Sequence, residues 1–180
     1  YKEWGRLGGW TSSSGRGWAN LSNAPFRMYK RYTHEGGVAT PLIVHWPAGL
    51  KSQGELRHAP SHIIDIAPTC LSAAGLSVKG MEGKSLLPVF VRDSKEERTL
   101  YWEHEGNRAV RKGNYKLVAM HDAPWELYDM NKDRSELNDL SKKMIGQAKE
   151  LRLLYEAWAK RVGALSWNEV MVTRKKKIKK

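Results

Sequence analysis

The chain has 180 residues and a formal net charge of +12 at pH 7, with 31 Lys and Arg residues against 19 Asp and Glu. This length allows one domain, or a domain with a subdomain, and it is sufficient to bury a core. Cys70 is the single cysteine, which excludes an intramolecular disulfide and a cysteine-based zinc cluster. No apolar run approaches the ~20 residues that a membrane-spanning helix needs.

Half of the net charge lies at the C-terminal end. Six cations stand within residues 174–180: Arg174, Lys175, Lys176, Lys177, Lys179 and Lys180. A cationic run of this kind predicts a disordered basic tail over residues 168–180. Without interleaved aromatic residues it attracts anionic polymers only weakly and without base specificity. We therefore expect no specific nucleic-acid partner; a nucleic-acid-binding protein is an alternative that only the charge suggests.

The segment 23–47 combines cations, a glycine turn and an apolar run. Its first half carries four side chains that can be cationic: Arg27, Lys30, Arg31 and His34. The pair Gly36-Gly37 permits a tight turn and a close approach of the backbone. The run 42–44, Leu-Ile-Val between two prolines, predicts a short buried strand. Cations held beside a rigid strand suit an oxyanion; the alternative is a solvated loop that precedes a core strand.

A helix is predicted over residues 61–75, with Pro68 in an early position and Gly75 as its stop. Apolar residues recur at helical spacing on a face that we expect to be packed: Ile64, Ala67, Leu71 and Ala74. Cys70 lies near this face. It is therefore predicted to be a buried apolar residue and not a nucleophile.

After a loop-like boundary at 76–98 the pattern changes to short strands, which predict an antiparallel sheet. The strands are 100–102, 108–111, 115–118 and 126–128. Lys112-Gly113-Asn114 is a hairpin signal. An amphipathic helix from Ser141 to Gly163 should then lie across the sheet, with its apolar stripe formed by Leu151, Leu154, Tyr155 and Trp158. The predicted divisions are thus 1–95, 96–167 and the tail 168–180.

Several polar residues have two interpretations. Arg27 would pair either with a substrate anion or with a core carboxylate, and the residues favour neither. For His34 a structural role is favoured, and Glu35 is expected to fix the glycine turn through backbone N–H groups. Asp129, Asp133 and Asp139 resemble a metal-binding run, but turn and capping chemistry accounts for them.

Three groups of segments, in this order, resemble the sulfatase family and its bacterial arylsulfatase branch. The matching segments are Gly17–Arg27 with Lys30, His34–Gly37 and Pro41–Ile43; His62–Thr69 with Gly83–Leu87; and Trp102–Arg111 with Trp125–Asp129 and Glu136–Leu140. Each group alone is moderate evidence. Their joint order and spacing across residues 17–167 make the resemblance specific.

This resemblance implies an alkaline-phosphatase-like α/β fold, present in part, with a small C-terminal antiparallel sheet packed by a terminal helix. It implies hydrolysis of an aryl or carbohydrate sulfate ester by an intact enzyme that uses formylglycine and calcium. Lys30 matches the family lysine that contacts the sulfate, and His104 and Asn107 lie in a segment that can contact substrate. A periplasmic or secreted location is expected from the resemblance alone.

The chain also departs from the family pattern. The nucleophile motif is Cys or Ser, any residue, Pro, any residue, Arg; Cys70 is followed by Leu71-Ser72-Ala73-Ala74 and does not match. The metal-binding aspartates and the Asp-Asn pair are absent as well, so no metal ligand is assigned here. We therefore expect roughly the C-terminal third of a sulfatase, inactive by itself. The alternatives are a non-catalytic sulfatase-like module and a phosphodiesterase or phosphonate hydrolase of the same superfamily.

Overall fold

The computed structural model of the chain describes residues 15–51, 54–94 and 97–178, with side chains as far as residue 174. The chain divides into two compact units. One comprises Tyr1–Thr40 and Tyr101–Lys180, and the other comprises Pro41–Leu100. The described residues of the segment 1–40 therefore belong with the sheet that follows residue 100, and not with residues 41–95 as the predicted divisions place them.

The described residues contain one antiparallel sheet with the strand order β1-β2-β3-β4, as the sequence predicts. The strands are β1 Thr99–His104, β2 Asn107–Lys112, β3 Tyr115–Ala119 and β4 Glu126–Asp129. Lys112 pairs with Tyr115, so Gly113 and Asn114 form the two-residue hairpin loop. Gly113 has φ +55°, a value that glycine adopts at no steric cost.

Helix α5, Ile145–Val162, packs against one face of this sheet. Its buried residues Leu151 and Tyr155 meet Val110, Leu117 and Leu127. The Trp158 and Tyr101 rings stack with their centroids 5.0 Å apart. The helix ends at Gly163, which has φ +68°, so its predicted stripe and stop are both confirmed.

Helix α5 begins four residues later than the predicted Ser141. The Ser141 backbone N–H donates to Asp139 Oδ1 at 2.8 Å, and the Ser141 hydroxyl is 2.9 Å from Asp139 Oδ2. These bonds hold Ser141 in a turn, and the helix starts only after it. Asp139 thus has the capping role that its sequence context indicates.

The prediction of a disordered tail over residues 168–180 is wrong, because the backbone of Trp167–Ile178 forms helix α6. Ser166 and Glu169 start it with a reciprocal cap. The Ser166 N–H donates to the Glu169 carboxylate at 2.8 Å, and the Glu169 N–H donates to the Ser166 hydroxyl at 3.3 Å. Lys and Arg are themselves good helix formers, so a cationic run after a capping box is compatible with a helix.

In the unit Pro41–Leu100, the predicted strand 42–44 is wrong. Residues 41–46 have no regular secondary structure, and Ile43 is 89% exposed. A strand needs a neighbour to complete its hydrogen bonds, and the described residues offer no partner for this run. The apolar composition of residues 42–44 is therefore not sufficient to form a strand.

The predicted helix 61–75 exists as a 3₁₀ turn, Ile63–Asp65, followed by α3, Ile66–Ala73. Its predicted packed face is wrong. The buried residues are Asp65, Pro68 and Thr69, whereas Cys70 is exposed. The buried side carries a polar contact that the apolar spacing does not reveal: Asp65 accepts two hydrogen bonds from Arg98, at 2.6 and 2.9 Å.

The described residues also form helix α1, Gly15–Ser22, and helix α4, Leu87–Val91. The four-residue helix α2, Glu35–Val38, belongs to the site described below. Within the described ranges, no helix is both long and apolar enough to cross a membrane.

Candidate functional site

Lys30 lies at the tip of an irregular loop, residues 28–34, between α1 and α2. We call this segment the Lys30 loop. It turns at Tyr29 and Tyr32, where the Tyr32 N–H donates to the Tyr29 carbonyl at 3.1 Å and the two rings meet edge to face. Met28 and Arg31 have φ values of +65° and +97°. Lys30 is exposed, and no hydrogen bond or ion pair to it occurs among the described residues.

The two glycines after the loop are required by close approach and not by a positive φ. A β-carbon on Gly36 would lie 2.5 Å from the Arg27 carbonyl oxygen, and one on Gly37 would lie 2.8 Å from the Tyr29 carbonyl oxygen. The Gly36 N–H donates to the same Arg27 carbonyl at 2.8 Å. The predicted close backbone approach is confirmed, and it fixes where the Lys30 loop begins and ends.

A buried ionic cluster joins the C-terminal end of the Lys30 loop to the face of the sheet opposite α5. Lys116 of β3 is fully buried, and its Nζ lies 2.9 Å from both Glu35 Oε1 and Glu136 Oε1. Arg134 adds a contact to Glu35 Oε2 at 3.1 Å. The Glu35 backbone N–H donates to Glu136 Oε2 at 2.8 Å.

Glu35 therefore corrects an expectation. Its carboxylate pairs with Lys116 and Arg134 instead of capping backbone N–H groups at the glycine turn. Burial opposes its ionisation, but the two cations outweigh burial and the pKa of Glu35 is lowered. A carboxylate held in this way is a structural anion and not an acid or base for catalysis.

Arg27, which immediately precedes the Lys30 loop, binds the N-terminal end of the loop to β4. Its Nη1 donates to Glu126 Oε2 at 3.0 Å and to the Tyr128 hydroxyl at 2.7 Å. Of the two interpretations left open by the sequence, the core carboxylate is the one observed. Tyr128 faces Lys116 across the β3–β4 pair, so the Arg27 contacts and the ionic cluster share one face of the sheet.

His34 is fully buried, and its Nε2 lies 3.2 Å from Glu126 Oε2, which agrees with the favoured structural role. Burial lowers the pKa of His34 below its ordinary value of 6.5. The neutral ring therefore donates its Nε2 proton to Glu126. Burial opposes ionisation of Glu126 as well, but hydrogen bonds from His34, Arg27 and Tyr128 lower its pKa.

His104 and Asn107 flank the turn between β1 and β2. His104 is exposed at the end of β1. Asn107 is buried, and its side-chain amide bonds only to backbone atoms: Nδ2 donates to the Arg31 and His104 carbonyls at 3.2 and 3.0 Å, and Oδ1 accepts from the His121 N–H at 3.2 Å. Substrate contact by His104 and Asn107 stays a prediction.

The carboxylates that resemble a metal run serve turns. Asp129 Oδ1 accepts from the Asn131 N–H, and Asp133 accepts from the Leu137 and Asn138 N–H groups. In the part of the chain that the structure describes, no three His, Cys, Asp or Glu side chains gather into a metal-binding group. These carboxylates are used by backbone N–H groups and do not fit a calcium ion.

Sequence reasoning missed the side chains that hold the Lys30 loop: Lys116, Glu126, Arg134 and Glu136. One signal was present. Lys116 stands two residues before Val118 in a predicted strand, so both project from the same face, and Val118 is fully buried. A lysine on an otherwise apolar strand face indicates a buried anionic partner.

Comparison with known proteins identifies the family of this chain. The model of the family described as N-sulphoglucosamine sulphohydrolase, C-terminal, matches residues 26–156. An uncharacterised sulfatase of Schizosaccharomyces pombe is 32% identical over 160 residues, which cover 78% of this chain and 29% of that protein. The N-acetylgalactosamine-6-sulfatase of Mus musculus is 36% identical over 100 residues, which cover 53% of this chain and 19% of the relative.

A solved structure has a similar fold. The crystal structure of Ps i-CgsB in complex with k-i-k-neocarrahexaose superposes with a TM-score of 0.66 and 26% identity, over 78% of this chain and 34% of that one. The sheet, its helix and the matched segment define the C-terminal region of a sulfatase with an alkaline-phosphatase-like fold. The chain belongs to the sulfatase family, and it spans less than a third of the length of the curated relatives described above.

Proposed function

We propose that the protein carrying this chain hydrolyses sulfate esters of carbohydrates, and that Lys30 contacts the sulfate group. The family match over residues 26–156 carries this proposal. The name of the mouse relative points to an N-acetylgalactosamine 6-sulfate, and the solved neighbour is in complex with an oligosaccharide. The narrower arylsulfatase assignment has no such support. It is an alternative substrate class that the activity assay below can distinguish.

The placement of Lys30 supports its role. An ammonium group is a compact cation that suits the charge growing on sulfate oxygens as the S–O bond breaks. Every other cation near the loop whose contacts are described above, Arg27, Lys116 and Arg134, is paired with a carboxylate. Lys30 is exposed and has no such partner among the described residues.

The family resemblance also implies formylglycine as the nucleophile and calcium to polarise the sulfate. The sequence motif for the nucleophile does not occur in these 180 residues, and the described carboxylates do not fit the ion. The contribution that we propose for these residues is therefore to bind and orient the sulfate through the Lys30 loop.

Replacing Lys30 tests the proposal directly. In the full polypeptide that carries these residues, we expect Lys30→Ala to lower kcat for a sulfated N-acetylhexosamine by roughly 10²–10³-fold, as on losing one oxyanion donor. Lys132→Ala, which removes a lysine whose side chain is 85% exposed, is the matched control and should leave kcat unchanged. Unchanged turnover in Lys30→Ala would contradict the role of Lys30.

The substrates in the same assay separate the alternatives. Faster turnover of an aryl sulfate than of sulfated sugars would favour the arylsulfatase type. Faster turnover of phosphate diesters or phosphonates would favour the related hydrolases of the superfamily. No turnover of any ester, together with saturable binding of sulfated sugars, would favour a non-catalytic module.

A further inference from the structure

The Asn107 side chain joins the Lys30 loop to the sheet region through hydrogen bonds to backbone atoms. Nδ2 donates to the carbonyl of Arg31, the residue that follows Lys30, and to that of His104. Oδ1 accepts from the N–H of His121, which follows β3. The residue is buried, with 5% exposure. An amide used in this way has little capacity left for a ligand.

The carbonyl that Asn107 holds belongs to a residue with an unusual backbone. Arg31 has φ +97°, a region that residues with a side chain rarely adopt. Such a conformation persists only where the surroundings determine it. Here the surroundings are Asn107 on the Arg31 carbonyl and an ion pair between the Arg31 side chain and Glu105. Both partners lie at the β1–β2 turn.

We propose that Asn107 is a positioning residue that fixes the Lys30 loop through the Arg31 carbonyl, and that it does not contact the substrate. Arg27 and Glu35 tie the two ends of the loop to the sheet, and Asn107 ties the residue next to its tip. This inference rests on the proposed function only where it concerns catalysis. The immobilisation of the loop is independent of it.

Hydrogen exchange tests the immobilisation without any assay of activity. In Asn107→Ala, we expect the Tyr32 amide, which bonds to Tyr29 within the loop, to exchange about five- to tenfold faster, while amides of α5 keep their protection. Asn131→Ala, which truncates an exposed asparagine, is the control and should leave the loop unchanged. An unchanged Tyr32 rate in folded Asn107→Ala would overturn the proposal. If that variant does not fold, Asn107→Leu, which keeps the approximate size of the side chain but loses both the donor and the acceptor, replaces it with the same expected result.

A double-mutant cycle tests the consequence for catalysis in the full polypeptide. Asn107→Ala should lower kcat by about tenfold with little change in KM, since a misplaced Lys30 loses contact with the transition state. On a Lys30→Ala background, the same change should cost nothing further. An equal loss on both backgrounds, or a loss confined to KM, would overturn the positioning role. Full activity of Lys30→Ala alone would instead contradict the proposed role of Lys30, and hydrogen exchange would still decide whether Asn107 holds the loop.

Discussion

At the residue scale, His34 shows how a buried group can link stability to pH. Its ring is neutral when folded because burial lowers its pKa, whereas in the unfolded chain the pKa returns to about 6.5. Between those two values the unfolded state binds more protons than the folded state. The stabilisation that His34 provides is therefore complete above about pH 6.5 and is lost as the pH falls toward its folded pKa.

We expect the free energy of unfolding, measured by urea titration of the 180-residue chain, to fall from pH 7.5 to pH 5. A single proton limits the His34 contribution to about 1.4 kcal/mol per pH unit. In His34→Gln this slope should decrease, but not vanish, because burial also lowers the pKa of His62. The control Asn131→Ala, which changes an exposed side chain that does not ionise, should retain the full slope. Equal slopes in His34→Gln and the unmodified chain would contradict this account.

The residue scale also shows where sequence reasoning ends. Lys116, Glu126 and Glu136 come from separate elements, and only the fold places them around Glu35 and Arg27. Their partners are 81–109 residues away along the chain. No local pattern encodes such pairs, so the sequence indicated Lys30 and its glycines but not the ionic cluster that holds them.

At the scale of elements, the predicted strands, hairpin and helix stripe between residues 99 and 163 were confirmed because their determinants are local. Alternating strands, a Gly-Asn hairpin and an amphipathic helix are each complete within a few residues. The strand expected at 42–44 failed because a strand depends on a neighbour, which no local pattern supplies. Helix α3 was located correctly, but the buried residues there are Asp65, Pro68 and Thr69 and not the apolar residues that the spacing indicates.

The turn into α2 provides a direct test of an element. Gly36→Ala would force a β-carbon against the Arg27 and Met28 carbonyls, which belong to rigid backbone. We expect the free energy of unfolding to fall by about 1–3 kcal/mol, the range for overpacking.

Gly146→Ala is the matched control for this substitution. Gly146 lies in the first turn of α5, and nothing lies within 4 Å of the added carbon. Alanine there should leave stability unchanged or raise it by up to about 1 kcal/mol. Both values are measured by urea denaturation of the same chain. Equal stability of the two variants would refute the close-approach argument.

At the scale of the whole molecule, the chain spans less than a third of the length of the curated relatives described above. Chemistry at sulfur needs a nucleophile, and the nucleophile motif does not occur in this sequence. We therefore expect the 180-residue polypeptide, assayed with calcium and a chromogenic aryl sulfate, to give no turnover above the uncatalysed rate. A polypeptide that includes an intact motif is the positive control. Robust turnover by these 180 residues would refute the assignment of roles.

Because the Lys30 loop is bound to strands that come later in the chain, truncation of the protein has a consequence for Lys30. Arg27, Arg31 and Glu35 all take their partners from residues beyond 100. A premature stop codon shortly after residue 100 would spare Lys30 and every residue before it. It would nevertheless remove the sheet to which the Lys30 loop is bound, so we expect a protein truncated there to leave Lys30 without its structural support.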